Sequence, residues 1–126
     1  MVEDDDDLAR LLTLRLRNAE FTVQRAANGE AGVALAREFE PDIILMDWMM
    51  PIKSGIEACE DIRQDPWIRQ PYIAMLSAKT APDDIVRAQQ AGIDEYISKP
   101  FSPLDVVNRV IAVIEARRML LTQVLG

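Results

Sequence analysis

The chain of 126 residues carries 14 lysines and arginines against 21 aspartates and glutamates, a net charge of −7, with one cysteine and no histidine. That length suits one domain with a single core and leaves no room for a second, while the acidic balance disfavours direct contact with nucleic acid, which needs clustered Lys and Arg. The absence of histidine excludes His-based triads, His metal sites and a phosphohistidine carried within the chain.

At the amino end, apolar Met1-Val2 gives way at once to the acids Glu3 to Asp7. A first helix follows, with Leu8, Leu11, Leu12 and Leu16 on one stripe and Asp6 or Asp7 as its cap, acids there suiting the positive end of the helix dipole. Thr22–Ala27 reads as a strand, and a second helix runs from a cap at Asn28 through Val33, Leu35 and Phe39 until Pro41 stops it. Asp42–Asp47 is a buried-type strand. Ser54-Gly55-Ile56-Glu57 has the Ser-x-x-Glu spacing of a capping box and announces a third helix. Tyr72–Ser77 is another apolar strand, ending on a hydroxyl. The fourth helix spans Thr80 to Gly92, with the glycine as a left-handed terminator, and a short strand Glu95–Ser98 precedes Lys99-Pro100. Ser102-Pro103, a cap followed by a first-turn proline, opens the fifth helix. Strand-like runs alternating with helical periodicity predict βα repeats and a parallel sheet.

Cys59 lies on the helical pattern with apolar neighbours and no partner for an internal disulfide, which fits a reducing cytosol and an inert thiol. There is no signal-peptide pattern and no apolar run near the length of a membrane span, so no membrane association and a cytoplasmic location are expected.

The chemistry concentrates at strand ends. Ile43-Ile44-Leu45-Met46 delivers the carboxylate of Asp47 to the end of a buried strand, the rim where ligands collect in open α/β sheets. An unpaired carboxylate there is expensive to desolvate. If the acids after Val2 reach the same rim, three carboxylates converge and repel unless a cation sits among them, and a hard divalent ion such as Mg²⁺ meets that demand. Glu3 and Asp4 are the preferred pair because they directly follow Met1-Val2; Asp5 is an alternative, and Asp6 and Asp7 read as helix-capping residues.

An acidic pair, a lone Asp, a Ser and then Lys-Pro, each closing an apolar run in that order, resembles the receiver domain of two-component response regulators. The resemblance covers nearly the whole chain. It implies an α/β, flavodoxin-like, doubly wound five-stranded parallel sheet of order 2-1-3-4-5 with five helices, here with the first strand shortened to Met1-Val2. It also implies metal ligation by Asp4 and Asp47, with Glu3 acting through water or as an orienter and the Met49 backbone carbonyl completing the protein ligands. By the same resemblance Asp47 is the nucleophile that accepts phosphate, Lys99 supplies positive charge to the phosphoryl oxygens, and the Lys99-Pro100 bond is cis. Ser77 would donate to the acquired phosphoryl group and Tyr96 is the matching aromatic switch position.

The implied function is a switch phosphorylated by a partner sensor histidine kinase with Mg²⁺, changing the surface around the fourth helix, fifth strand and fifth helix, and catalysing only its own phosphorylation and dephosphorylation. Two other readings stand beside it. One is a Mg²⁺-dependent aspartyl-phosphate phosphohydrolase, but such enzymes carry a second Asp two residues beyond the nucleophile, where this chain has Met49. The other is a receiver-like module that no longer takes phosphate. The resemblance also implies a homodimer face on the fourth and fifth helices, whose acidic and basic positions Asp94, Glu95, Asp105 and Arg109 match, although Ile85 and Leu104 stand where relatives of the winged-helix type carry basic residues and count against that mode. The domain is expected to span 1–118. Residues 119–126 would extend the last helix or begin a linker, packing against another chain or leading to an effector domain.

Overall fold

The computed structural model describes residues 1–125, with side-chain detail to residue 120. The elements, in chain order, are α1 (Asp6–Asn18), α2 (Gly29–Phe39), β1 (Ile43–Asp47), α3 (Gly55–Gln64), β2 (Tyr72–Ser77), α4 (Pro82–Gln90), β3 (Glu95–Ser98) and α5 (Pro103–Leu125). The three strands form one parallel sheet in the order β1-β2-β3.

The sheet departs from the expected five strands. Among the described residues the first two expected strands survive only as isolated parallel bridges, Val2 to Ala26 on one side and Val2 to Met46 on the other. The lateral sequence Ala26, Val2, β1, β2, β3 still follows the expected order 2-1-3-4-5. On the outer side, the Ala26 amide donates to the Met1 carbonyl at 2.9 Å and its carbonyl accepts from the Glu3 amide at 3.0 Å. The Val2 amide donates to the Leu45 carbonyl at 2.8 Å and the Asp47 amide to the Val2 carbonyl at 2.9 Å. Toward the amino end of this pairing lies a cavity of about 370 Å³, lined by residues that include Leu16, Phe21, Leu35, Phe39, Ile44 and Val110.

Period-two alternation along the strands sends side chains to two cores. Ile44, Met46, Ile73 and Met75 pack with Val33, Ala36, Ile56, Cys59, Ile62 and Ala88 of α2, α3 and α4. Leu45, Ala74 and Leu76 pack with Leu12, Leu16, Val106, Val107 and Val110 of α1 and α5. Helices thus cover both faces, the doubly wound arrangement, and burying each large aliphatic side chain contributes about 1.5–3 kcal/mol.

Most helix ends follow the sequence signals. Asn28 accepts from the Ala31 amide at 2.8 Å, and Ser54 and Glu57 form both halves of a capping box. Gly92 follows α4 with φ of 99°. Two starts differ from expectation. The cap of α1 is Asp5, which accepts from Leu8 at 3.0 Å, so Asp6 and Asp7 occupy the first turn. The run of acids at consecutive positions left that register open. α4 begins at Pro82 rather than Thr80, behind Ala81, which has no side-chain oxygen to cap it. Cys59 is fully buried, and burial pushes its thiol up to about 11, consistent with an inert group.

The loop after β1 holds a γ-turn in which the Lys53 amide donates to the Pro51 carbonyl at 2.7 Å around Ile52, a β-branched residue at φ of 69°. The Ile52 side chain is 76% exposed, so burial offers little compensation. Replacing Ile52 by glycine should stabilise the fold by roughly 0.5–1 kcal/mol, the left-handed penalty less the extra chain entropy of glycine. The expected readout is a higher urea midpoint at unchanged m-value; a lower midpoint would show that Ile52 makes contacts worth more than its strain.

Candidate functional site

Asp47 ends β1, directly beside Leu76 of β2, and Ser77 pairs in register with Ser98 of β3. The Lys99 amide donates to the Ser77 carbonyl at 2.8 Å, so the chain reaches Lys99 with its side chain beside the same rim. On the other flank, the Val2 bridges and the Glu3 amide donating to Ala26 at 3.0 Å bring the acid pair alongside β1. Carboxylate oxygens of Glu3, Asp4 and Asp47 all lie within 4.8 Å of one another. The sequence prediction of a three-acid convergence holds in space, and Asp5, engaged as the helix cap, is outside it.

Lys99 Nζ donates to Asp47 Oδ2 at 3.0 Å and stands 3.9 Å from Glu3 Oε1. Desolvation pulls the Lys99 ammonium down, yet its hydrogen bond and charge interaction with Asp47, aided by Glu3 and Asp4, outweigh this and hold it above its ordinary value. Glu3 is 1% exposed and neither carboxylate oxygen has a hydrogen-bond partner. Burial first, and then Asp47 beside it, push the Glu3 carboxyl up to about 8. A buried, unpartnered pair of oxygens next to two further acids is costly as it stands. It fits a hard divalent cation held by Asp4, Asp47 and Glu3. Met49, the fourth expected contributor, donates its amide to Asp47 Oδ1 at 3.3 Å and turns its side chain, 65% exposed, to solvent.

Glu3 also predicts a pH dependence. Between its ordinary value of 4.5 and about 8 the folded protein keeps a proton that the unfolded chain releases. The stability this contributes is complete below 4.5 and is lost as pH rises through the window. In chelator the melting temperature should therefore fall across that range, and Glu3→Gln should flatten the fall. Equal slopes in both proteins would remove Glu3 as the source.

Ser77 is buried, and its Oγ accepts from the Lys79 amide at 3.0 Å. The Tyr96 hydroxyl donates to the Lys79 carbonyl, so both proposed switch residues hold the same loop between β2 and α4. Trp48, next in the chain after Asp47, meets Tyr96 edge to face at 6.5 Å, with the Lys79 ammonium 5.2 Å from its ring centre. Lys79 was not legible as part of this group, because its role rests on backbone contacts to Ser77 and Tyr96 and on a ring that only the fold brings near. The Lys99-Pro100 bond is cis. Of the residues expected at a dimer face, Glu95 pairs with Arg109 at 2.7 Å and Asp94 with Arg63 at 2.8 Å inside this chain.

A parallel, doubly wound domain with clustered acids, an Asp-Lys pair and a buried serine on its carboxyl rim defines the receiver class. The chain belongs to the response regulator receiver domain family of two-component systems, its residues 1–111 matching the family. It is 38% identical over 110 residues to the DNA-binding response regulator MtrA of Mycolicibacterium smegmatis, covering 87% of this chain and 47% of that protein. It is 40% identical over 114 residues to the transcriptional regulatory protein ResD of Bacillus subtilis, covering 90% and 46%. The chain thus spans about half the length of the curated relatives it matches. Among solved structures, chemotaxis protein CheY4 of Vibrio cholerae superposes with a TM-score of 0.81 at 26% identity, covering 89% of this chain and 93% of that one. The Francisella response regulator 1452 receiver domain, at 24% identity, a TM-score of 0.84 and coverage of 92% and 94%, shares the fold. No helix among the described residues is long and apolar enough to cross a membrane.

Proposed function

We propose that this chain is a phospho-accepting signalling switch in which Asp47 receives a phosphoryl group from a histidine of a partner sensor kinase. The observation that carries the reading is the Asp47 carboxylate, 5% exposed, held at 3.0 Å by Lys99 and crowded by Glu3 and Asp4. A carboxylate oxygen of Asp47 attacks phosphorus, the phosphorus–nitrogen bond of the donor breaks, and its electron pair returns to the imidazole, leaving a mixed anhydride on Asp47. A bound Mg²⁺ would neutralise charge spreading over the phosphoryl oxygens. Lys99, already paired with Asp47, is placed to follow the new phosphoryl charge. Ser77 can donate its hydroxyl proton while still accepting from Lys79, and a changed Ser77 would be felt by the loop that Tyr96 also holds.

The response then spreads over α4, β3 and α5, in a cytoplasmic protein that acts through an effector domain or partner and catalyses only its own phosphorylation and dephosphorylation. Because Glu95 and Arg109 already satisfy each other within the chain, dimerisation through this face requires them to exchange partners. The five-stranded form of the sheet belongs to the same reading. Incubation with a small phosphomonoester and Mg²⁺ separates it from the hydrolase alternative. A switch whose donor is a phosphohistidine is expected to leave the phosphomonoester intact; steady multiple turnover would establish a phosphohydrolase instead.

A further inference from the structure

We infer that Arg25 is a positioning residue for the acid pair, setting the direction of the Glu3 and Asp4 carboxylates toward Asp47; this rests on the metal reading of that cluster. Arg25 precedes Ala26, whose backbone is tied on both sides, its amide donating to Met1 at 2.9 Å and its carbonyl accepting from Glu3 at 3.0 Å. That pairing aims the Arg25 side chain at the turn between Val2 and α1. Its Nε and Nη2 donate to the Glu3 carbonyl at 3.1 and 2.8 Å, and Nη1 pairs with Asp6 Oδ1 at 2.7 Å. The Arg25 side chain is 31% exposed, so the fork is partly shielded from water.

The Glu3 carbonyl belongs to the peptide unit that links the two acids. Fixing its direction fixes ψ of Glu3 and φ of Asp4 together, and with them the paths of both side chains from the backbone. In a longer strand a neighbouring amide would accept that task. Here regular pairing stops at Val2, and a rigid planar side chain substitutes for the neighbour. The far anchor on Asp6 ties the same peptide to the first turn of α1.

Charge and positioning make opposite predictions for this residue. If Arg25 were only a cation beside an acidic cluster, removing it would tighten divalent binding, because the cluster would become more negative. If it positions the acids, removing it weakens binding, in the manner of the partners that orient metal ligands.

The test is calorimetric titration of the protein with Mg²⁺, and with Mn²⁺ as a second probe, on the parent chain, Arg25→Ala and Arg25→Lys, alongside melting temperatures in chelator. Arg25→Ala should weaken affinity by about tenfold, the low end of the range for lost orienting partners. Arg25→Lys keeps the charge but lacks the fork, and should also weaken binding, with melting in chelator changed little in either variant. Unchanged or tighter binding in both variants overturns the inference while leaving the metal site intact. If Arg25→Ala fails to fold, Arg25→Lys decides alone. A parent chain that binds neither ion overturns the metal reading and this inference with it.

Discussion

Asp47→Asn is expected to take up no phosphoryl group from acetyl phosphate and Mg²⁺ under conditions that fully label the parent chain. The amide oxygen is a poor nucleophile and the substitution also discards the charge that faces Lys99 at 3.0 Å, so the rate should fall on the order of 10³-fold or more. Loss of fold is not the cause. Removing one of three mutually repelling carboxylates relieves the cluster in which Glu3 is buried without a hydrogen-bond partner, so the variant should melt in chelator at or above the parent temperature. A variant that melts normally and still labels at the parent rate would exclude Asp47 as the acceptor.

Gly55→Ala should damage both fold and site from outside the acid cluster. Gly55 is the first residue of α3, and a Cβ on it would lie 2.1 Å from the Asp47 carbonyl oxygen and 2.9 Å from its carbon. Both are backbone atoms and cannot rotate aside. The close approach lets the capping box at Ser54 start α3 immediately beneath the strand end, with the Gly55 amide donating to Trp48 at 2.9 Å. Forcing a methyl in should cost about 3 kcal/mol, the upper part of the usual overpacking range, and displace Asp47 from Lys99. Chemical denaturation should show the loss, and the variant should also label slowly at temperatures where it remains folded. A stability within about 0.5 kcal/mol of the parent, the range for surface changes, would mean that the helix and strand can separate at little cost.

Much of this architecture was legible because local chemistry and tertiary demand agree. Ser54 and Glu57 form the capping box their spacing announced, and Asn28 caps α2 as expected. The apolar runs ending at Asp47 and Ser77 became β1 and β2, with alternate residues feeding opposite cores. Where the chain offered degenerate choices, sequence could not decide. Asp5, Asp6 and Asp7 are equally good caps, and the choice of Asp5 depends on where Val2 docks and on Arg25 taking Asp6. Thr22–Ala27 has strand composition but pairs with Val2 through a single bridge at Ala26, since propensity alone does not make a ladder. Arg25 and Lys79 gave no signal, since an isolated basic residue acquires a role only from which backbone carbonyl or ring lies near it. α5 continues to Leu125 as one helix, with Met119 and Leu120 about two-thirds exposed. The side chains of 121–126, on which the expected packing of the last turns against another chain mostly falls, lie outside the described residues.

Phosphoryl transfer to Asp47 is proposed to need a divalent ion at the acid cluster. Intact-mass spectrometry after incubation with acetyl phosphate, in Mg²⁺ and in excess chelator, followed by peptide mapping, tests it most directly. One added phosphoryl group is expected, on the peptide bearing Asp47, in Mg²⁺ alone. Full labelling in chelator, a phosphoryl group on another peptide, or an unlabelled chain in Mg²⁺ would contradict it.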